Sequence, residues 1–165
     1  PCRCGWFGHP SGRCTCTDGQ VQSYLRRISG PLLDRIDMHV EVPSVEYEAM
    51  RRKEQPESSQ QVRSRVNAAR QVQQRRYEGT GVTCNAYMTP AMIGQYCRLD
   101  AAGEKNISTV YVAGDLLQIA TGLTGRSHDR ILRMARTIAD LEGEAQILPA
   151  HLAEAIQYRS SAMLK

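Results

Sequence analysis

Ser29-Gly30-Pro31-Leu32-Leu33-Asp34-Arg35-Ile36-Asp37-Met38-His39-Val40-Glu41 is the stretch on which the fold turns. Its first half is a short apolar turn or helix, Leu32 to Ile36, with one arginine at the tip. Its second half alternates: Met38, Val40 and Val42 face one way, His39 and Glu41 the other, and Pro43 closes the predicted strand. An arginine on such a rigid corner points outward, which suits a group that acts on a neighbouring subunit. The plainer reading pairs Arg35 with Asp34 or Asp37 inside the turn, and the bare residues favour that pairing.

Upstream, Thr17 and Gln20 have the spacing of a capping box. Val21, Tyr24, Leu25 and Ile28 then repeat at helical intervals until Gly30 and Pro31 stop the helix. Residues 1–16 are a loop of Cys, Gly and Arg without periodicity.

Downstream, residues 44–56 are polar and read as a loop, with a short helical turn near Tyr47–Arg51. Ser58 and Gln61 offer a second capping box for a helix to about Tyr77, expected to bury Val62, Val66 and Ala69. Its other faces carry Arg63, Arg65, Arg70, Arg75 and Arg76, and Gly79-Thr80-Gly81 breaks it. Thr89-Pro90 is a cap followed by proline at the first helical position, with Met92, Ile93, Tyr96 and Cys97 on the apolar side. Residues 101–124 send mixed signals: Ile107 and Val110–Val112 favour a strand, Asp115–Ala120 a helix. The strongest helical pattern runs from Ser127 to Glu142, with Ile131, Leu132, Ala135, Ile138 and Leu141 on one side and Gly143 as its stop. Pro149 opens a last helix through Leu152, Ala155, Ile156 and Arg159.

Bulk properties narrow the class. The 165 residues suffice for one ordinary domain or two small ones. A start at Pro1 rather than Met is expected of a piece of a longer protein. Aromatic content is 5%, so the core must rest on aliphatic residues, Met and Ala. No apolar run approaches the roughly 20 residues of a membrane span, so a soluble chain without membrane contact is expected, and its clustered cysteines point to metal or to reduced thiols, hence a cytoplasmic location. Net charge is +4, and 18 of the 21 basic residues are arginine, which suits phosphate and carboxylate recognition. A surplus of that size permits nucleic-acid binding without requiring it; the basic helix 58–78 lacks interleaved aromatics, so a solvated linker is the more economical reading.

Four of the six cysteines, Cys2, Cys4, Cys14 and Cys16, fall within the first sixteen residues. A disulfide-built secreted domain would spread them more evenly. Four thiolates can close a tetrahedral zinc site, although the one-residue spacers are shorter than usual. His9 is a candidate substitute ligand, and four reduced thiols in a loop is the alternative.

The Gly-Pro-Leu-Leu-Asp-Arg-Ile-Asp segment closely resembles the arginine-finger segment of AAA+ ATPases of the magnesium-chelatase type. Gly125-Arg126-Ser127-His128-Asp129-Arg130, continued through Gly143, resembles the sensor-2 helix of that family. With Pro-Cys-x-Cys-Gly and the ending Ala150–Arg159, the resemblance is to the ComM/YifB branch and covers nearly the whole chain. It implies a mostly α chain: the last helix and strand of an AAA+ α/β core (1–43), a linker with the Arg-rich helix (44–87) and a helical-bundle lid (88–165). It further implies that Arg35 completes a neighbour's ATP site, and that Arg126, or else Arg130, touches the subunit's own γ-phosphate. Fingers of this kind contribute about 10³–10⁵ in rate. ATP and magnesium as cofactors, a hexameric ring of identical subunits and DNA as partner, in branch migration during natural transformation, complete what the resemblance implies. Two departures stand out. No Gly-x-x-x-x-Gly-Lys-Ser/Thr loop occurs and no acidic strand end precedes Arg35, so the chain alone is expected not to hydrolyse ATP; and residues 104–114 do not look like the family's lid helix.

Overall fold

In a computed structural model of the chain, residues 2–40, 42, 57–100, 103–105 and 125–159 are described. Their architecture is mostly helical. The elements are α1 (Asp18–Leu25), α2 (Gly30–Arg35), α3 (Ser59–Arg76), a 3-10 turn (Asn85–Tyr87), α4 (Pro90–Tyr96), α5 (Gly125–Glu142) and α6 (Pro149–Gln157). The expectations for residues 44–56 and for most of 101–124 lie outside the described residues.

Local signals start these helices where the sequence puts them. Both capping boxes form: Thr17 N–H donates to Gln20 Oε1 (3.1 Å) while Thr17 Oγ1 accepts from Gln20 N–H, and Ser58 and Gln61 repeat the exchange. Each satisfies two amide donors that a helix start otherwise leaves bare. Thr89 Oγ1 accepts from Met92 N–H at 3.3 Å, with Pro90 opening α4. Gly30 and Pro31 behave differently from expectation. The first helix already stops at Leu25, and Gly30-Pro31 opens α2, capped by Ser29 Oγ, which accepts from Leu32 N–H.

Among the described residues, the expected strand Met38–Val42 does not form. Met38, His39, Val40 and Val42 have no strand pairing, and the described residues contain no strand. A strand needs an edge to pair with. Here His39 N–H finds a single carbonyl instead, that of Tyr158 at 2.7 Å, just past the end of α6.

α5 is the centre of the fold. Its buried positions Ile131, Leu132, Ala135, Ile138 and Ala139 trace one stripe, as helical periodicity requires. α6 lays Leu152 and Ala155, both fully buried, against that stripe, and α4 adds Ile93, with Cys97 just past its end. Gly143 ends α5 in a left-handed conformation (φ +79°) that spares a side chain the steric penalty. Gly143 N–H donates to Asp140 O and Glu144 N–H to Ala139 O, the paired bonds of a Schellman stop. Leu141, expected in the core, is 38% exposed, because it sits on the edge of the stripe.

α3 joins α5 through charge rather than through the expected valines. Val62 and Val66 are 39% and 37% exposed, whereas Ala69, Gln73 and Tyr77 are buried. Arg76, read from the sequence as surface, donates from Nη1 to Asp140 Oδ2 at 2.8 Å and from Nη2 to Asp140 Oδ1. Asp140 is buried and also accepts from Arg136 Nε (3.1 Å) and Asn85 Nδ2 (2.9 Å). Asn85 Oδ1 in turn accepts from Tyr77 Oη at 2.7 Å and from Arg76. Arg136 spends its remaining donors on the carbonyls of Glu144 and Ala145, closing the turn after α5. Burial opposes ionisation of Asp140, but the Arg76 and Asn85 bonds and the two guanidinium charges hold its carboxyl below the usual range.

Candidate functional site

The Arg35 turn lies against the α5–α6 pair. Arg159, just past α6, donates from Nη1 to the Ile36 carbonyl at 2.7 Å and from Nη2 to Ser127 Oγ at 3.3 Å. Arg130, one turn into α5, places Nε 3.3 Å from Asp37 Oδ1. With the His39–Tyr158 bond, these contacts hold residues 36–39 from three sides. Arg35 itself is exposed at the last position of α2 and has no hydrogen bond or ion pair among the described residues. Asp37 is thus committed to Arg130 and not to Arg35. The Asp34 side chain lies outside the described residues.

Around Arg35 the surface is apolar. Leu32, Ile36, Met38 and Val40 are 49%, 40%, 45% and 62% exposed.

Of the other two arginines read as nucleotide contacts, Arg126 belongs to the first turn of α5 by its backbone, and its side chain lies outside the described residues. Arg130 is the Asp37 partner just described. Arg133, which the sequence reading did not single out, donates from Nη2 to Met88 O at 2.7 Å, while its Nε is buried without a partner. A cavity of about 150 Å³ lies beside it, lined by Asp37, Ala86, Arg130, Arg133, Met134 and Thr137.

The four N-terminal cysteines come together. The sulfurs of Cys2, Cys4, Cys14 and Cys16 all lie within 4.8 Å of one another. Cys2 Sγ is 3.2 Å from Cys4 Sγ and 3.7 Å from Cys14 Sγ, and Cys4 and Cys14 are also 3.7 Å apart. All six cysteines are free thiols. Gly5 turns the chain between the first pair and the rest of the loop in a left-handed conformation (φ +82°), with its N–H on Cys2 O. Burial resists ionisation of Cys2, but donation from the Cys4 thiol and the Phe7 backbone N–H brings its pKa down to about 6. The Cys16 amide favours the Cys14 thiolate, yet burial and the neighbouring Cys4 and Cys2 sulfurs push Cys14 up to about 11. Cys4 is also lowered, chiefly by the Trp6 backbone N–H, whereas the Cys4 backbone N–H favours the Cys16 thiolate but the Cys4 sulfur and burial push that thiol up.

His9, the candidate substitute ligand, is engaged elsewhere. Its Nδ1 lies 2.7 Å from Ser11 Oγ, and its ring meets Trp6 edge-on, with the Arg13 guanidinium 5.1 Å from the indole. Cys97 is buried beside α5, where burial pushes its thiol up to about 11.

On α3, Arg63, Arg70 and Arg75 are exposed, and Arg65 pairs with Glu57 at 2.7 Å. Among the described residues, no helix is long and apolar enough to cross a membrane.

Comparison with known proteins adds two kinds of match. Residues 56–159 match the family model described as magnesium chelatase, subunit ChlI C-terminal, and residues 1–50 match that of magnesium chelatase, subunit ChlI. Competence protein ComM of Haemophilus influenzae is 38% identical over 159 residues, covering 95% of this chain and 29% of that protein. Uncharacterized protein YifB of Escherichia coli is 36% identical over 155 residues, covering 93% of this chain and 28% of that protein. An uncharacterised protein of Mycobacterium tuberculosis is 32% identical over 148 residues, 90% of this chain and 28% of that protein. The chain thus spans under a third of the length of these curated relatives.

Proposed function

This chain belongs to the magnesium chelatase family, and from that membership we propose that it is the carboxyl-terminal part of an AAA+ motor of the ComM/YifB branch, driven by ATP and acting on DNA. Family membership implies ATP and magnesium in the full-length protein. These 165 residues offer arginines but no Gly-x-x-x-x-Gly-Lys-Ser/Thr loop to cradle phosphates, so their share of the work is positive charge and its placement. When bound, ATP supplies the phosphoryl group that passes to water.

In this reading Arg35 donates its planar fork to the phosphoryl oxygens of the adjacent subunit's nucleotide, where negative charge grows as the bond breaks. The observation that carries it is an exposed Arg35, without a partner among the described residues, on a turn anchored by Arg130 and Arg159. Anchoring matters because a finger left to swing loses the advantage of preorganisation. The exposed Leu32, Ile36, Met38 and Val40 fit burial against that neighbour in a hexameric ring. Arg126, in the first turn of α5, is assigned in this reading to the subunit's own nucleotide, with Arg130 tying α5 to the finger turn. The segment 1–43 then belongs to the end of the core, 44–87 to the linker and 88–165 to the lid. ATP turnover by the full-length protein, measured with and without DNA, tests the proposal; a protein that neither binds nor hydrolyses ATP removes it.

Two smaller outcomes follow. Arg159→Ala in the full-length protein is expected to speed amide exchange at residues 36–39 and to lower ATP turnover by roughly 10- to 100-fold, the order of a charge-assisted hydrogen bond to the Ile36 carbonyl. Unaltered exchange there would show that Arg159 anchors nothing. Replacing Arg63, Arg70 and Arg75 together by Ala is expected to flatten the dependence of DNA affinity on salt, by up to about 0.9 in log–log slope for each phosphate the protein no longer neutralises. An unchanged slope would place DNA on another face.

A further inference from the structure

We propose that Cys2, Cys4, Cys14 and Cys16 bind one zinc ion in a closed, all-thiolate structural site that fixes the entry into α1. Zinc–thiolate bonds are about 2.3 Å long, so the sulfurs of a tetrahedral site lie about 3.8 Å apart. The Cys2–Cys14 and Cys4–Cys14 separations are 3.7 Å, close to that edge, and Cys2–Cys4 at 3.2 Å needs only a small opening. Disulfide bonding would bring a pair to about 2.05 Å, and no pair approaches it. Sulfurs within 4.8 Å of one another surround a single ion and are too close to ligate the separate irons of a cluster. Four soft thiolate ligands close enough to share one ion select zinc over magnesium or calcium, and a full set of four protein ligands makes the site structural.

A second argument comes from what surrounds the thiols. Among the described residues before α2, only Cys2 and Val21 are buried apolar side chains. Within these residues burial does little to fix the loop, and a bound metal would act as a local staple. With the thiols free, metal is the available staple. It would tie Cys2 and Cys4 to Cys14 and Cys16, and Thr17, the next residue, is the N-cap of α1. Four thiolates around one divalent ion leave excess negative charge, and Arg3 and Arg13 lie within the same loop to balance it. The site is independent of Arg35: it stands whether or not that residue serves a neighbour's nucleotide.

The test is metal analysis of the full-length protein, produced with zinc and purified without chelator. The expected result is zinc that disappears in the Cys4→Ser/Cys14→Ser double variant and persists in Cys84→Ser and Arg35→Ala. Zinc absent from the wild-type protein, or retained by the double variant, overturns the proposal. So does iron in place of zinc. Should the double variant fail to fold, cobalt exchange into the wild type decides. Intense tetrahedral bands with thiolate-to-cobalt charge transfer support the site; no uptake, or the weak bands of octahedral cobalt, overturns it. Stripping the metal is further expected to quicken amide exchange in Val21–Leu25 of α1; unchanged exchange would deny the metal its structural role.

Discussion

Arg35→Ala in the full-length protein is expected to leave nucleotide affinity nearly unchanged and to lower ATP turnover by about 10³–10⁵, the effect assigned to arginine fingers. The expectation rests on how the turn is held. If Arg35 served its own turn, it would pair with a nearby carboxylate, and its loss would loosen the fold. Asp37 is instead held by Arg130, and the backbone at Ile36 by Arg159, so the turn has anchors that do not include Arg35. Removing the exposed guanidinium should therefore cost little stability. Arg35→Lys is expected to recover only part of the rate, because an ammonium carries the charge without the fixed fork. The sharpest measurement mixes two inactive subunits, one with Arg35→Ala and one unable to bind nucleotide. Recovered turnover in the mixture shows that arginine and nucleotide come from different subunits. Normal turnover by Arg35→Ala alone would sink the finger assignment, and a lowered melting temperature with normal turnover would return Arg35 to a structural role.

What the sequence made legible was local. Capping boxes at Thr17 and Ser58 and the Thr89-Pro90 start depend on residues three apart, and each forms. The stripe through Ile131, Leu132, Ala135 and Ile138 is likewise set by one helix's own periodicity. The cysteine cluster was visible as spacing, and the structure supplies the sulfur distances that spacing could not. Readings that depended on a distant partner fared differently. Met38–Val42 alternates like a strand, but among the described residues no second strand offers an edge. Val62 and Val66 are the obvious apolar positions of α3, yet the face that meets α5 is Ala69, Gln73 and Arg76. No pattern within α3 announces this, because the acceptor is Asp140, 64 residues away. The anchoring of Ile36 by Arg159 spans 123 positions and was equally hidden. An arginine in a helix reads as solvated surface unless its carboxylate can be found, and local reading cannot find it.

That hidden carboxylate carries the largest expected effect on stability. Asp140→Ala is expected to destabilise the chain by about 3–5 kcal/mol, as seen when one partner of a buried ion pair is removed. The reason is what remains. Arg76 and Arg136 would face each other across the vacated space, with Arg136 almost wholly buried, and Asn85 would lose an acceptor. Against a typical total of about 5–15 kcal/mol, such a loss brings the fold near its limit, with a fall in melting temperature on the order of 10 °C. Asp140→Asn keeps the shape and some hydrogen bonds but not the charge, so it is expected to fall between wild type and Asp140→Ala. The pH dependence has a definite sign. In the folded chain the Asp140 carboxyl lies below its ordinary value, so its stabilising contribution is complete above about pH 4 and disappears as pH falls through the depressed folded value. The stability gap between wild type and Asp140→Asn should therefore be constant near neutrality and narrow below about pH 4. Urea unfolding followed by circular dichroism across that range measures the gap directly. A loss under about 1 kcal/mol for Asp140→Ala, the worth of an exposed ion pair, would mean that α3 and α5 are not joined by a buried charge.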